Sequence, residues 1–354
     1  MEEETINNHT VFLTLAGSQV YGTSTPESDT DYRGVCLLPE KRLYFGLGIH
    51  NFEQKNVWAD GSDKTVFDFR KACKLMAENS PGMLELLYTP EKFWKTVRRP
   101  WWNLLYDRDK FLSKRCRFTY GGYAFAQLKR IRTHRGYLLK PVLNRPERAD
   151  FGLKEKRAVT TDEVNNFLWL VAKLLEDSIE MLKISDKFKS QLADTNFIGL
   201  VQSKSLDMDA CQTLHQLTGA PDGFIDSCMR EKQYLHAVRD WEAYNRWKET
   251  RNKKRQELEA KHGYDCKHAM HLVRLLRMGM EVLQTKKLQV AREDAQELLE
   301  IRNGSWPFEK VEQYAIDCND KLAELVTITD LPNAPDVNAI EEICIRIIEE
   351  EMHD

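Results

Sequence analysis

The spacing of apolar residues changes near residue 92, and this change limits the chain to a mixed architecture. Before it, short apolar runs bounded by turn residues predict strands at residues 11–16, 31–39 and 65–69. After it, apolar residues recur with the period of a helix. Two short helices are predicted before it, at residues 70–78 and 83–87. Those after it are predicted at residues 120–135, 162–183, 227–261, 265–283, 291–302 and 339–352. The expected fold class is therefore α+β, with a small mixed sheet followed by a largely helical domain.

The composition narrows the class of protein. Of the 354 residues, 42% are hydrophobic and 30% are charged, as in a globular chain with a sizeable core. The formal net charge of -3 provides no global attraction for nucleic acid, so contacts with RNA would depend on local basic patches. No apolar run approaches the length that spans a membrane, and the acidic N-terminus lacks the pattern of a signal peptide.

The cysteine pattern points to a reducing compartment. The eight cysteines are scattered and form no C-x-x-C pair. This spacing argues against a structural zinc site and is typical of reduced thiols. We therefore expect a cytoplasmic protein with no membrane contact, whose oligomeric state the sequence does not indicate.

The most informative segment is residues 17–34, with the sequence GSQVYGTSTPESDTDYRG. Asp29 and Asp31 are two positions apart, and on an extended chain such side chains point to the same face. Paired carboxylates suit Mg²⁺ or Mn²⁺, and catalysis with two metal ions requires ligands of this kind. Upstream, Gly17 lets backbone N–H groups approach a phosphate, and the Ser18 hydroxyl can donate to it. A short helix after Gly17 would direct its positive end to the same phosphate.

A third carboxylate is expected on a later strand. Asp68 lies between two phenylalanines in the predicted strand 65–69, so its side chain must face water, a charge or a metal. It is the predicted third ligand of the metal pair. Asp63, in a polar turn, is the weaker candidate. An isolated Asp-x-Asp is common in turns, and the interpretation depends on its combination with Gly17, Ser18 and Asp68.

A basic stripe on the predicted helix 265–283 is a second candidate element. Lys267, His271 and Arg274 fall on one face, with His268 beside them. Arg gives paired contacts to phosphate and Lys a point charge, so the stripe fits a triphosphate or acceptor phosphate. An ordinary amphipathic helix is the alternative. Zinc binding through His268 and His271 is disfavoured, because the sequence places no further ligands nearby.

Two other basic features remain open in the sequence. Arg33 follows Asp31 on the same strand face and could pair with the carboxylates or touch a phosphate. A basic cluster follows aromatic residues on the predicted helix 120–135, an arrangement that suits a nucleic-acid strand, although a plain helix surface is the more common explanation. The cluster comprises Lys129, Arg130, Arg132, His134 and Arg135.

These motifs resemble the DNA polymerase β-like nucleotidyltransferase superfamily, whose hallmark is Gly-Ser, a gap, Asp-x-Asp and a third carboxylate. More narrowly, the chain resembles the predicted nucleotidyltransferases of bacteria and phages that are associated with RNA repair. The residues that fit are Gly17, Ser18, Tyr21, Gly22, Ser28, Asp29, Asp31, Arg33 and Gly34. Residues 79–88, which contain Glu85, resemble a further segment with one residue inserted. Residues 265–279 and 301–304 resemble the family's later motifs.

The resemblance implies a nucleotidyltransferase domain at residues 1–115 and a helical domain at residues 116–354. Residues 185–262 match nothing in the family and would be an insertion. The implied reaction transfers an NMP from an NTP, such as ATP or CTP, to a hydroxyl acceptor with two Mg²⁺ or Mn²⁺ ions, and releases pyrophosphate. An RNA 3′ end is the expected acceptor. A protein hydroxyl, or a non-catalytic module that binds nucleotide or RNA, are the alternatives.

Overall fold

The computed structural model describes residues 3–38, 54–155 and 222–353 except residue 252, together with residues 160, 162, 165, 166, 169, 170 and 173. The chain divides into two compact units. The first joins Met1–Leu138 with Lys253–Asp354, and the second is Leu139–Asn252. Within the described ranges, no helix has the length and apolar character to cross a membrane.

The first unit contains a five-stranded sheet with the order β3-β4-β2-β1-β5. Its strands are β1 (Thr10–Leu15), β2 (Tyr32–Cys36), β3 (Gln54–Lys55), β4 (Lys64–Asp68) and β5 (Trp94–Val97). Strand β2 pairs antiparallel with β1 and parallel with β4, so the sheet is mixed. The predictions of β1, β2 and β4 are confirmed with small differences at their ends. The short strands β3 and β5 were not predicted, because neither shows a clear alternation of apolar residues.

Helices cover most of the remaining described chain. They are α1 (Glu3–Asn8), α2 (Ser18–Tyr21), α3 (Phe69–Ala77), α4 (Pro81–Tyr88), α5 (Arg99–Tyr106), α6 (Cys116–Leu139), α7 (Asp222–Thr250), α8 (Lys253–His262), α9 (Cys266–Thr285), α10 (Ala295–Arg302), α11 (Phe308–Ile328) and α12 (Val337–His353). Helix α9 packs against α10 and α11, and its apolar face, which includes Leu272, Val273 and Leu276, is fully buried. The predicted α+β class is confirmed.

Several helical regions differ from expectation. The predicted helix 227–261 is interrupted between α7 and α8. Helices α1, α5 and α11 were not predicted. Most of the predicted helix 162–183 lies outside the described residues, as does much of the segment expected as an insertion at 185–262. The division into domains at residue 115 stays a prediction.

The second unit contains α7 and a short 3₁₀ helix, Arg148–Phe151. The Arg148 guanidinium forms an ion pair with Glu231, with Nη1 and Oε2 3.0 Å apart. Phe151 meets the Tyr234 ring edge-on at a centroid distance of 5.8 Å. These contacts fasten the 3₁₀ helix to α7.

Candidate active site

The turn after β1 brings the Gly-Ser pair against Asp31. The Ala16 N–H donates to the Asp31 carbonyl at 2.9 Å, which continues the pairing of β1 with β2. Gly17 then adopts a φ of 62°. A Cβ at this position would lie 2.6 Å from Asp31 Oδ2. Both the backbone angle and the close carboxylate therefore require glycine at residue 17.

The parallel pairing of β2 with β4 places Asp63 beside Asp31. Tyr32 is in register with Lys64, and its N–H donates to the Asp63 carbonyl at 2.8 Å. The Asp31 and Asp63 carboxyls are within hydrogen-bonding reach of each other. Partial burial, and then the carboxylates of Asp63 and Asp29, raise the pKa of Asp31, whereas Arg33 acts in the opposite direction. Crowded carboxylates of this kind disfavour full ionisation until a cation is present.

Asp68 lies at the other end of β4 from this cluster, which counts against its predicted place as the third metal ligand. It ends β4, five residues after Asp63, and a strand of that length spans roughly 16 Å. Its carboxylate caps helix α3 by accepting the N–H groups of Arg70 and Lys71 at 3.0 and 3.3 Å. The buried side chain thus has its polar partners at the helix N-terminus.

The chemistry of the cluster fits a hard divalent cation. Asp29 and Asp63 are exposed and Asp31 is half-buried, so the carboxylates face solvent beside the Gly17 turn. All three offer only oxygen, the ligand that Mg²⁺ and Mn²⁺ prefer. A bound cation would also offset the repulsion that holds the pKa of Asp31 above its ordinary value, after the contribution of burial.

A buried network of Tyr21, Glu85 and Arg274 supports the short helix α2. Arg274 pairs with Glu85 at 2.8 Å, and its guanidinium lies 3.8 Å from the centre of the Tyr21 ring. The Tyr21 hydroxyl donates to the other Glu85 oxygen at 2.6 Å. Arg274 is only 6% exposed. This burial and these partners count against its predicted role as a phosphate ligand, which stays a prediction.

Helix α10 and the residues before it hold the other side of the same loop. Arg302 Nη1 donates to the Thr23 carbonyl at 3.0 Å, and the Arg292 N–H donates to the Tyr21 carbonyl at 3.4 Å. Gly22 approaches Ala295 so closely that an added Cβ would lie 3.2 Å from the Ala295 Cβ. The late motif at residues 301–304 thus contacts the loop that carries Gly17 and Ser18.

The remaining predicted phosphate ligands occupy different surroundings. Ser18 is half-buried and begins α2. Arg33 donates to the Gly82 carbonyl at 2.8 Å, which ties β2 to the start of α4. Lys267 and His271 are half-buried on α9, whereas His268 is buried in its first turn. The expected single stripe is therefore divided, and the roles of Ser18, Arg33, Lys267 and His271 stay predictions.

The basic cluster on α6 is engaged in part with α11. Arg132 pairs with Glu312 at 2.7 Å, and Arg135 pairs with Glu309 at 3.2 Å. Arg135 also lies over the Phe308 ring at 4.5 Å. These contacts favour the interpretation of the cluster as a helix surface that joins α6 to α11.

The mixed sheet presents Gly17-Ser18 and Asp29-x-Asp31 together, at the end of β1 and the start of β2. Residues 1–144 match the profile of the RNA repair pathway DNA polymerase beta family. The resemblance expected from the motifs is thereby confirmed for this part of the chain.

One relative extends the similarity to the helical region. The chain is 23% identical over 326 residues to an uncharacterized 38.9 kDa protein from the nrdC-mobD intergenic region of Enterobacteria phage T4. The alignment covers 88% of each chain. No solved structure matches the chain.

Proposed function

We propose that the protein is a metal-dependent nucleotidyltransferase that moves an NMP from an NTP to a hydroxyl acceptor. The observation that carries this proposal is the contact of the Asp31 carboxylate with Gly17, beside Asp29 and Asp63. It unites a turn that can receive a triphosphate with carboxylates that can hold divalent metal. The match to a polymerase beta family supports the same reaction class.

In the proposed reaction, the acceptor oxygen attacks the α-phosphorus in line, and the bond to the β-phosphate oxygen breaks to release pyrophosphate. The Gly17 backbone and the Ser18 hydroxyl hold the outer phosphates, with Lys267 and His271 as further phosphate contacts. Asp63 takes the acceptor proton. When bound between Asp29, Asp31 and Asp63, two Mg²⁺ or Mn²⁺ ions would neutralise the triphosphate and activate the acceptor.

Asp63 replaces Asp68 in this assignment because β2 and β4 are parallel. Asp31 and Asp63 each directly precede a strand, and the register of those strands aligns the two residues. Both carboxylates therefore lie at the edge of the sheet that also carries Gly17. Asp68 is the last residue of β4 and therefore lies at the opposite end of the parallel strands.

The proposed acceptor is the 3′ end of an RNA, and the proposed donor is ATP or CTP. The description of the matched family as part of an RNA repair pathway supports the RNA assignment. We place the reaction in the cytoplasm, because buried thiols such as Cys73, Cys116 and Cys266 suit a reducing compartment.

Two variants test the metal site. Asp29→Ala and Asp31→Ala should each abolish Mg²⁺-dependent pyrophosphate release while circular dichroism shows a retained fold. Asp317→Ala, which removes an exposed carboxylate on α11, is the matched control and should keep wild-type activity. Full activity in either active-site variant would refute the assignment of metal ligands.

The acceptor is identified by product sensitivity. The protein is incubated with each α-phosphate-labelled NTP, Mg²⁺ or Mn²⁺ and total RNA, and the products are treated with RNase or protease. Label that RNase removes supports an RNA acceptor. Label that only protease removes would replace RNA with a protein hydroxyl and leave the transferase assignment in place.

A further inference from the structure

Three potential metal ligands converge where α6 meets the start of α9. They are His134 on α6, Asp265 at the N-cap of α9 and His268 in its first turn. One ligand atom from each lies within 4.8 Å of the others. Asp265 and His268 are 3% and 8% exposed, and His134 is half-buried. The three residues are different from the aspartates beside Gly17, which are Asp29, Asp31 and Asp63.

The spacing between Asp265 and His268 fits a shared ion. Asp265 Oδ1 accepts the His268 N–H at 3.0 Å and caps the helix. The other oxygen, Oδ2, lies 3.5 Å from His268 Nε2. Two ligands on a tetrahedral ion with bonds near 2.1 Å are about 3.4 Å apart, whereas a hydrogen bond rarely exceeds about 3.2 Å.

The second histidine comes from a different helix. The rings of His134 and His268 have centroids 6.0 Å apart and are tilted by 57°, so they are not stacked on each other. Helix capping explains why Asp265 and His268 lie together. It does not explain why His134 approaches them from another helix. The approach of His134 gives the cluster the minimum of three protein ligands that a zinc site with an open position uses.

We propose that His134, Asp265 and His268 bind one Zn²⁺-class transition-metal ion, with water in the remaining position. Two imidazoles and one carboxylate select such an ion, whereas the all-oxygen aspartate cluster selects Mg²⁺ or Mn²⁺. The ion joins α6 to the first turn of α9. His268 precedes Arg274 by six residues, about 9 Å along the helix, so the ion anchors the helix that supports Tyr21.

The site can be recognised only in the folded chain, because His134 is far from Asp265 and His268 in the sequence. The sequence spacing of His268 and His271 lacks nearby ligands, and zinc binding through that pair was accordingly disfavoured. The folded chain supplies Asp265 and His134 instead. The positive N-terminal end of α9 opposes a cation, and the negative charge of Asp265 at that end offsets this repulsion.

The experiment measures bound metal on the full chain. Protein stripped with chelator is dialysed against Zn²⁺ in excess Mg²⁺, which fills the all-oxygen sites, and zinc is determined by mass spectrometry. We expect about one Zn²⁺ for each chain. Substitution with Co²⁺ should give visible bands of nitrogen-containing, low-coordinate cobalt. Failure of the wild-type protein to retain Zn²⁺ would overturn the proposal.

Matched variants locate the ion. Asp265→Asn keeps an N-cap residue, and with His134→Gln and His268→Gln it should weaken Zn²⁺ binding at least about 10-fold. His271→Gln, on the same helix but outside the cluster, should retain the ion. Wild-type binding by all three cluster variants, or loss of zinc only in His271→Gln, would refute the assignment. Circular dichroism of Asp265→Asn separates metal loss from unfolding, and the result is independent of nucleotidyl transfer.

Discussion

Replacing Gly17 with alanine should damage catalysis far more than folding. The backbone at residue 17 has a φ of 62° and a ψ of -140°, a region that glycine adopts and that costs an L-residue about 1–3 kcal/mol. The new Cβ would lie 2.6 Å from Asp31 Oδ2, and ordinary contact begins at 3.4 Å. The carboxylate must therefore move by about 0.8 Å. Because a displacement of about 1 Å in a reacting site can lower the rate about 100-fold, we expect a loss of that order in kcat/KM.

A second glycine separates the steric effect from backbone strain. Gly263 has a φ of 76°, and a Cβ added there meets no atom within 4 Å. Gly263→Ala should also lose unfolding free energy through its positive φ, by about 1–2 kcal/mol, but should retain activity. Pyrophosphate release gives kcat/KM, and urea denaturation gives the free energy. Wild-type kcat/KM in Gly17→Ala, or an equal loss of activity in Gly263→Ala, would refute this reasoning.

Further predictions address the assignments around this turn. Asp63→Asn should lower kcat for pyrophosphate release about 100-fold or more, whereas Asp68→Asn retains a helix cap and should stay active; the reverse order would restore Asp68 as the third ligand. Glu85→Gln leaves the Arg274 charge buried and should cost about 3–5 kcal/mol in urea denaturation, so an unchanged midpoint would contradict the buried pair. Mg²⁺ at about 100 times its Kd should add about 2.7 kcal/mol of stability in thermal unfolding, and Asp31→Asn should lose that gain; equal gains in both proteins would place the ion elsewhere.

Local patterns in the sequence predicted the parts of the fold that depend on neighbouring residues. The runs that form β1, β2 and β4 were recognised because apolar residues and turn residues bound them. The Asp29-x-Asp31 pair was recognised because residues two positions apart on an extended chain share a face. The buried face of α9, with Leu272 and Leu276, followed from helical spacing.

The choice between Asp63 and Asp68 needed information that short motifs lack. Asp68 directly precedes α3, and an aspartate before a helix is a common N-cap, so this signal was present in the sequence. Asp63 became the better candidate only through the parallel register of β2 with β4. A sequence does not record which strands become neighbours.

Long-range contacts decided the role of the late motifs. Arg274 could bind phosphate according to its sequence, but its partners Glu85 and Tyr21 come from the first hundred residues. His134 reaches His268 only after α6 and α9 have packed together. The helical spacing of one segment cannot predict contacts of this kind.

The most direct test of nucleotidyl transfer follows the two ends of the triphosphate separately. The protein is incubated with Mg²⁺, total RNA and an NTP labelled at either the α- or the γ-phosphate, and the acceptor and the released phosphates are resolved. We predict that the α label enters the acceptor and the γ label leaves as pyrophosphate, and that Asp31→Asn abolishes both. Transfer of the γ label to the acceptor, or transfer of the α label by Asp31→Asn at the wild-type rate, would contradict the proposed site and reaction.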